Sequence, residues 1–198
     1  MNEIVQIIKQ RINAVPEPSE RMIIAVDGRC ASGKTTLASA LEKELDCTVF
    51  HMDDFFLRPE QRSAARLAAP GENVDHERFF EEVLSPLHRG EKSIVYRPFN
   101  CQLNELMPLC NVKAGKIVVI EGSYSCHPSL WDHYDLHVFM TVSTSEQLRR
   151  IAMREGEERA VVFQKKWIPL EENYLRTYHV EERCELSFNT GELRQNDV

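Results

Sequence analysis

The apolar positions of this chain follow two kinds of spacing. Ile4, Ile8, Ile12 and Val15 recur every three or four residues, which predicts an amphipathic helix over 2–14 that stops near Pro16 and Pro18. Met22-Ile23-Ile24-Ala25-Val26, Ile117-Val118-Val119-Ile120-Glu121-Gly122 and residues 136–142 are instead nearly unbroken apolar runs, too short for helices, and read as strands buried on both faces. Residues 47–51 and 184–189 are two further strand candidates. Helical spacing returns over 36–45, about 75–88 and 144–155. The last is opened by Ser143 with Glu146 three positions on, a capping box, and closed by Gly156. Residues 93–116 mix Ser93-Ile94-Val95-Tyr96 with Pro98, Pro108 and Gly115 and read as an inserted hairpin or loop region. Val161, Val162, Phe163, Trp167, Ile168, Leu170, Tyr174 and Leu175 form an apolar stripe expected mostly in the core, with Pro169 breaking the run. Strands alternating with helices predict a three-layer α/β fold with a mostly parallel, five-stranded sheet, the whole of 1–198 forming a single domain.

Residues 28–35 read Gly28-Arg29-Cys30-Ala31-Ser32-Gly33-Lys34-Thr35, the pattern G-x-x-x-x-G-K-[ST], between the first predicted strand and the helix that follows. Glycines allow backbone conformations in which successive N–H groups point at an anion, and a helix start adds its positive dipole end. The backbone of Gly28, Ala31, Ser32 and Gly33, with Lys34, Thr35 and Thr36, is therefore the candidate cradle for a nucleotide's phosphates. Lys34 would reach the β- and γ-phosphates, and Thr35 would ligate Mg²⁺. In open α/β sheets ligands bind at the carboxyl ends of the strands. Asp53 and Glu121 both fall there. A carboxylate ending an apolar strand is costly unless it meets a cation or several donors, so Glu121 reads either as a Mg²⁺ ligand through water or as a structural acceptor of backbone N–H groups.

Composition narrows the partners. The 198 residues are 42% hydrophobic and carry a formal net charge of −7, so no broad basic face is available for a nucleic acid. Six cysteines without a C-x-x-C pair read as reduced thiols of a cytoplasmic protein. The amino terminus lacks the basic segment and apolar run of a signal peptide, and no stretch approaches the ~18 apolar residues of a membrane span.

The phosphate loop, Asp53-Asp54-Phe55-Phe56, Asn73-Val74-Asp75-His76, Tyr96-Arg97-Pro98-Phe99, the strand ending Glu121-Gly122 and the arginines from 149 onward together resemble the uridine kinase group of P-loop kinases over about 22–189. The segment at 53–56 is also similar to nicotinamide riboside kinases. The resemblance implies a P-loop NTPase fold with a helical lid over about 144–178, and transfer of the γ-phosphoryl group of ATP, with Mg²⁺, to a primary hydroxyl of a small molecule such as uridine. It makes Asp53 the base that deprotonates the acceptor hydroxyl, with a water-mediated contact to the metal. It assigns Asp75 to ribose hydroxyls, against the alternative of a plain helix cap, and sets Tyr96, Arg97 and Phe99 along the base pocket. Arg97-Pro98 departs from the family segment. Arg150 and Arg154 of the lid would neutralise charge on the transferring group, with a solvated helix face as the alternative. His51 and His76 read as ordinary polar residues. Nicotinamide riboside, pantothenate and glycerate remain open as acceptors, as do a non-catalytic nucleotide sensor and a homo-oligomer.

Overall fold

The computed structural model describes residues 1–15 and 21–191, so the predicted stop at Pro16 and Pro18 lies outside the described residues. Helix α1 (Asn2–Asn13) leads to strand β1 (Met22–Gly28), helix α2 (Lys34–Leu45) and strand β2 (Thr48–His51). Short 3-10 turns at Met52–Phe55 and Pro59–Gln61 and helix α3 (Ala64–Ala68) follow, then α4 (His76–Phe79), a π turn at Phe80–Leu84 and α5 (Ser85–His88). Strands β3 (Ser93–Tyr96), β4 (Phe99–Asn100), β5 (Glu105–Leu106) and β6 (Cys110–Lys113) form two nested antiparallel pairs, the inserted hairpin anticipated over 93–116. The chain continues through β7 (Ile117–Glu121), α6 (Pro128–Trp131) and β8 (Leu136–Thr141). It ends in α7 (Thr144–Glu155), α8 (Glu157–Val162), a second π turn at Phe163–Trp167, α9 (Ile168–Thr177), α10 (Val180–Arg183) and β9 (Leu186–Asn189).

The main sheet has the order β2-β7-β1-β8-β9, and all five strands run parallel. Because side chains alternate across a strand, β1 feeds two cores. Met22, Ile24 and Val26 pack with Ile4, Ile8, Leu37 and Leu41 under α1 and α2, while Ile23 and Ala25 face Phe50, Phe55, Phe79, Val83 and Tyr174 on the other side. Burying each such aliphatic side chain contributes about 1.5–3 kcal/mol. In register, Val26 pairs with Glu121 and Glu121 with His51, so the strand ends that carry the loop, Glu121 and His51 are level.

Three local expectations are corrected. Pro169 does not end the helical run. A proline removes an N–H and crowds the carbonyl four residues back, and the π turn at Phe163–Trp167 widens the helix where Lys165 would meet it; the π turn at Phe80–Leu84 does the same ahead of Pro86. The stripe over 161–175 is not mostly core: Tyr174 and Leu175 are buried, but Val161, Val162 and Trp167 are 46%, 49% and 39% exposed. They lie on α8 and the π turn that follows it, while the large buried side chains of this region come from α7 and α9. Of the capping box only half forms. Ser143 Oγ accepts from Glu146 N at 3.4 Å, whereas the Glu146 carboxylate binds Arg149 and Arg150.

Candidate active site

The phosphate loop begins where β1 runs closest to its neighbour. A Cβ on Gly28 would lie 2.0 Å from Met140 O, and its φ of +131° is closed to other residues, so only glycine lets the chain leave the sheet here. The next carbonyls are then occupied from outside. Lys34 Nζ donates to Gly28 O (2.7 Å) and Arg29 O (3.0 Å), Gln147 Nε2 to Cys30 O (3.1 Å), Arg150 to Ala31 O (3.2 Å) and Thr190 Oγ1 to Ser32 O (2.8 Å). With five consecutive carbonyls held in this way, the peptide planes are fixed. Helix α2 starts at Lys34 with no side-chain cap on its amino end, which leaves its first N–H groups free to meet an anion.

Behind the loop stand two buried carboxylates that sequence reasoning passed over. Asp27 is fully buried, and each oxygen accepts two bonds: Oδ1 from Gly28 N (2.6 Å) and Tyr124 N (3.1 Å), Oδ2 from Cys126 N (2.9 Å) and the Tyr174 hydroxyl (2.7 Å). Burial pushes its pKa up, while these donors and the Lys34 charge pull it back. With a donor at each bond, the pocket suits the ionised form. Glu171 on α9 accepts from Cys30 N (2.9 Å) and from Ser123 Oγ (2.6 Å), and Ser123 Oγ in turn accepts from Lys34 Nζ (3.3 Å). Its neighbour Glu172 takes both ends of the Arg29 guanidinium at 2.6 and 3.1 Å. Residues 171, 172 and 174 thus latch α9 onto the start of the loop. Asp27 was legible by the argument used for Glu121, a lone carboxylate ending an apolar strand; nothing in the sequence marks Glu171.

At the other end of the loop, both oxygens of the buried Glu121 lie 3.3 Å from Thr35 Oγ1, and Glu121 Oε1 is 2.6 Å from His51 Nδ1. That bond raises the His51 pKa, against the opposing effect of burial, so the histidine left without a role partners the strand-terminal acid. Asp53 opens to the cleft on one side and is walled by protein on the others. This loss of water raises its pKa, Lys34 lowers it, and Glu121 raises it further. Gly122 lets it come this close: a Cβ there, at φ +141°, would sit 2.8 Å from Met52 Cβ and 3.5 Å from Asp53 Oδ1. The hydroxyl and carboxylate oxygens of Thr35, Glu121 and Asp53 form a hard-oxygen donor set facing one space. Mg²⁺, which takes few protein ligands and keeps its waters, fits that chemistry.

The loop from Cys30 to Thr36, Asp53, Glu121 and Glu171 line one cleft of about 1140 Å³, together with Arg149, Arg150, Arg154 and Arg159 of the lid. Arg150 braces the loop, since it also binds Thr190 and Glu146, whereas Arg154 is more than half exposed and pairs with Glu155 at 3.0 Å. The four residues expected at the acceptor lie elsewhere. Asp75 caps α4 and is held by Gln61 (2.8 Å) and Arg78 (3.4 Å). Tyr96 stacks on Phe55 in the core with its hydroxyl on Asp54 (3.1 Å). Arg97 donates to the carbonyls of Leu106 and Met107, and Phe99 is buried beneath Arg62. None of them lines the cleft. The cleft wall on that side is made by Phe56, Asn73, Cys101 and Tyr124 instead.

Among solved structures, the chain is similar to a protein from Bacillus stearothermophilus described as a possible uridine kinase, at 20% identity and a TM-score of 0.68, over 94% of this chain and 98% of that one. It is similar to a protein from Silicibacter sp. TM1040 provisionally described as a fructose transport system kinase, at 20% identity and a TM-score of 0.72, over 94% and 97% of the two chains. A third match is D-glycerate 3-kinase from Cryptococcus neoformans, at 17% identity and a TM-score of 0.57, over 85% and 84%. The shared feature is the fold. No helix among the described residues is long and apolar enough to cross a membrane. Residues 24–173 match the sequence model of an AAA domain, and the chain accordingly belongs to that P-loop family.

Proposed function

We propose that this protein is an ATP- and Mg²⁺-dependent kinase, acting as one unit with α7 to α9 as its lid, that transfers the γ-phosphoryl group to the primary hydroxyl of a nucleoside such as uridine. The observation that carries this reading is the meeting, in one cleft, of an anion cradle, a hard-oxygen corner and the Asp53 carboxylate. Phosphoryl transfer asks for these parts, because its catalysis is mostly positioning and charge stabilisation. The backbone of the loop from Gly28 to Gly33, with Thr36, would hold the phosphates, Lys34 would exchange bonds to Gly28 O, Arg29 O and Ser123 Oγ for the β- and γ-oxygens, and Thr35 directly, with Glu121 and Asp53 through water, would hold the metal. Bound there, Mg²⁺ supplies charge neutralisation on the phosphates. Asp53 takes the acceptor's hydroxyl proton as the new O–P bond forms and ADP leaves. Arg154 exchanges its Glu155 partner for phosphate oxygen when the lid closes, while Arg150 keeps the loop in shape.

The test is ADP release with Mg²⁺ and ATP in the presence of uridine, cytidine, nicotinamide riboside, pantothenate, glycerate or no acceptor. Acceptor-dependent release supports the kinase reading. Release without an acceptor marks a simple ATPase, and ATP binding without any release marks a sensor. Lys34→Ala should weaken ATP binding and leave AMP binding nearly unchanged; equal losses for both would remove Lys34 from the β- and γ-phosphates.

A further inference from the structure

Two polar side chains of the cleft are left unfinished, Ser32 Oγ on the phosphate loop and, on the opposite wall, the Asn73 amide, whose two polar atoms are both unpaired. The Asn73 backbone is pinned: Leu57 N donates to Asn73 O (3.3 Å), Phe56 and Val74 form a β-bridge, and Asp75 N donates to Phe55 O (2.7 Å). The side chain is only 6% exposed and lines the cleft, yet neither Oδ1 nor Nδ2 makes a hydrogen bond. The amide leans toward the Tyr124 phenol, enough to temper the burial that raises that phenol's pKa, but closes no bond with it. Burying an amide with both halves unpaired is unfavourable, and an apolar side chain of similar size would fold better. A molecule entering from the cleft is what would complete it, with one donor and one acceptor offered side by side.

The charge around Asn73 narrows that molecule further. Its neighbours along this wall, Phe56, Cys101 and Tyr124, are neutral, and Asp53 beyond them is acidic. The cations lining the cleft, among the described residues, are Lys34 and the arginines of the lid, at the phosphate end. Arg62, whose charge reaches Cys101, lies behind this wall, donating to Leu57 O and covering the face of Phe99, and does not line the cleft. A hydroxy acid would bring a carboxylate to a wall with no cation to receive it. Asp75, two residues on, is no substitute reader, since Arg78, Gln61 and Arg58 already surround it.

Building on the kinase reading above, we infer that Asn73 binds the acceptor directly and that the acceptor is an uncharged molecule with a hydrogen-bond donor and acceptor on adjacent positions. A ribose diol and the imide edge of a pyrimidine both present that pair.

Calorimetric titration with Mg²⁺ and ADP present tests this without requiring turnover. Uridine should bind and glycerate and pantothenate should not. Asn73→Ala should weaken uridine about tenfold or more while ADP affinity and the melting temperature stay the same or rise, because no internal hydrogen bond is lost. A structural asparagine would lower the melting temperature instead. Asn73→Ser, which keeps a small polar group, should fall between the two. Selective loss of 2′-deoxyuridine places the amide on the diol, and selective loss of 3-methyluridine places it on the base. Binding of glycerate or pantothenate, failure of uridine and cytidine to bind while ADP does, or an unchanged uridine affinity in Asn73→Ala overturns the inference. Uridine binding with no ADP formed from ATP would instead sink the kinase reading and leave the inference standing.

Discussion

The two sides of the cleft are built on opposite rules. On the phosphate-loop side, Asp27 accepts four bonds, Lys34 donates three, and five successive loop carbonyls are each held by a side chain, with the Ser32 hydroxyl left over. On the opposite side Asn73 bonds to nothing and Asp53 stands open to the cleft. A loop that grips triphosphate has to be rigid before the ligand arrives, since each peptide plane that moves would cost binding energy. A wall that distinguishes one small molecule from another has to keep its polar groups unspent. The saturated side therefore suits a job common to many kinases, and the open side the job particular to this one.

The largest test of that contrast is Asp27→Ala. It strands Gly28 N, Tyr124 N, Cys126 N and the Tyr174 hydroxyl, and should cost about 3–5 kcal/mol in urea unfolding, as breaking a buried charged network does. A loss below 1 kcal/mol would mean that the loop is not held from behind. Asp53→Asn should do the reverse: turnover falls about 10²-fold or more, as for loss of a general base, while ATP affinity and unfolding midpoint barely move. Near-normal turnover in that variant would remove Asp53 from the chemistry. Tyr174→Phe removes one bond to a charged acceptor and should cost about 2 kcal/mol. Its particular signature is weaker ATP binding, because the lost bond ties α9 to Asp27 at the start of the loop while the edge-to-face contact of the ring with Tyr124 is kept. Smallest of all, Val162→Ser on the exposed lid should change stability by no more than about 0.5 kcal/mol. A drop of 2 kcal/mol there would show that Val162 is packed against a neighbour after all.

The legible part of this protein was the part with a local cause. The five strands, the helix after Gly33 and the helix stop at Gly156 followed from periodicity and caps, and the observed bounds of the strands lie within two residues of those expected. The level of Glu121 with the loop followed from its place at a strand end. The lid stripe misled because apolar spacing shows which face of a helix is greasy and not whether anything packs on it; Val161, Val162 and Trp167 stay in water. Pro169 misled because a proline rule assumes α geometry, which a π turn relaxes. At the acceptor the resemblance pointed to Asp75, Tyr96, Arg97 and Phe99, but the fold turned each of them to a neighbour.

Sequence alone thus determined the sheet, the anion cradle and the acids at its edge, because strand period, glycine conformation and the cost of a buried carboxylate act within a few residues of chain. Tertiary structure decided which polar groups are spent and which are left over. Asp75 finds Arg78 and Gln61, Glu171 reaches Cys30 N across 141 residues, His51 closes on Glu121, and Asn73 nears the Tyr124 phenol without a hydrogen bond. Hydrogen-bond satisfaction is a property of the whole packed molecule, and no window of sequence contains it.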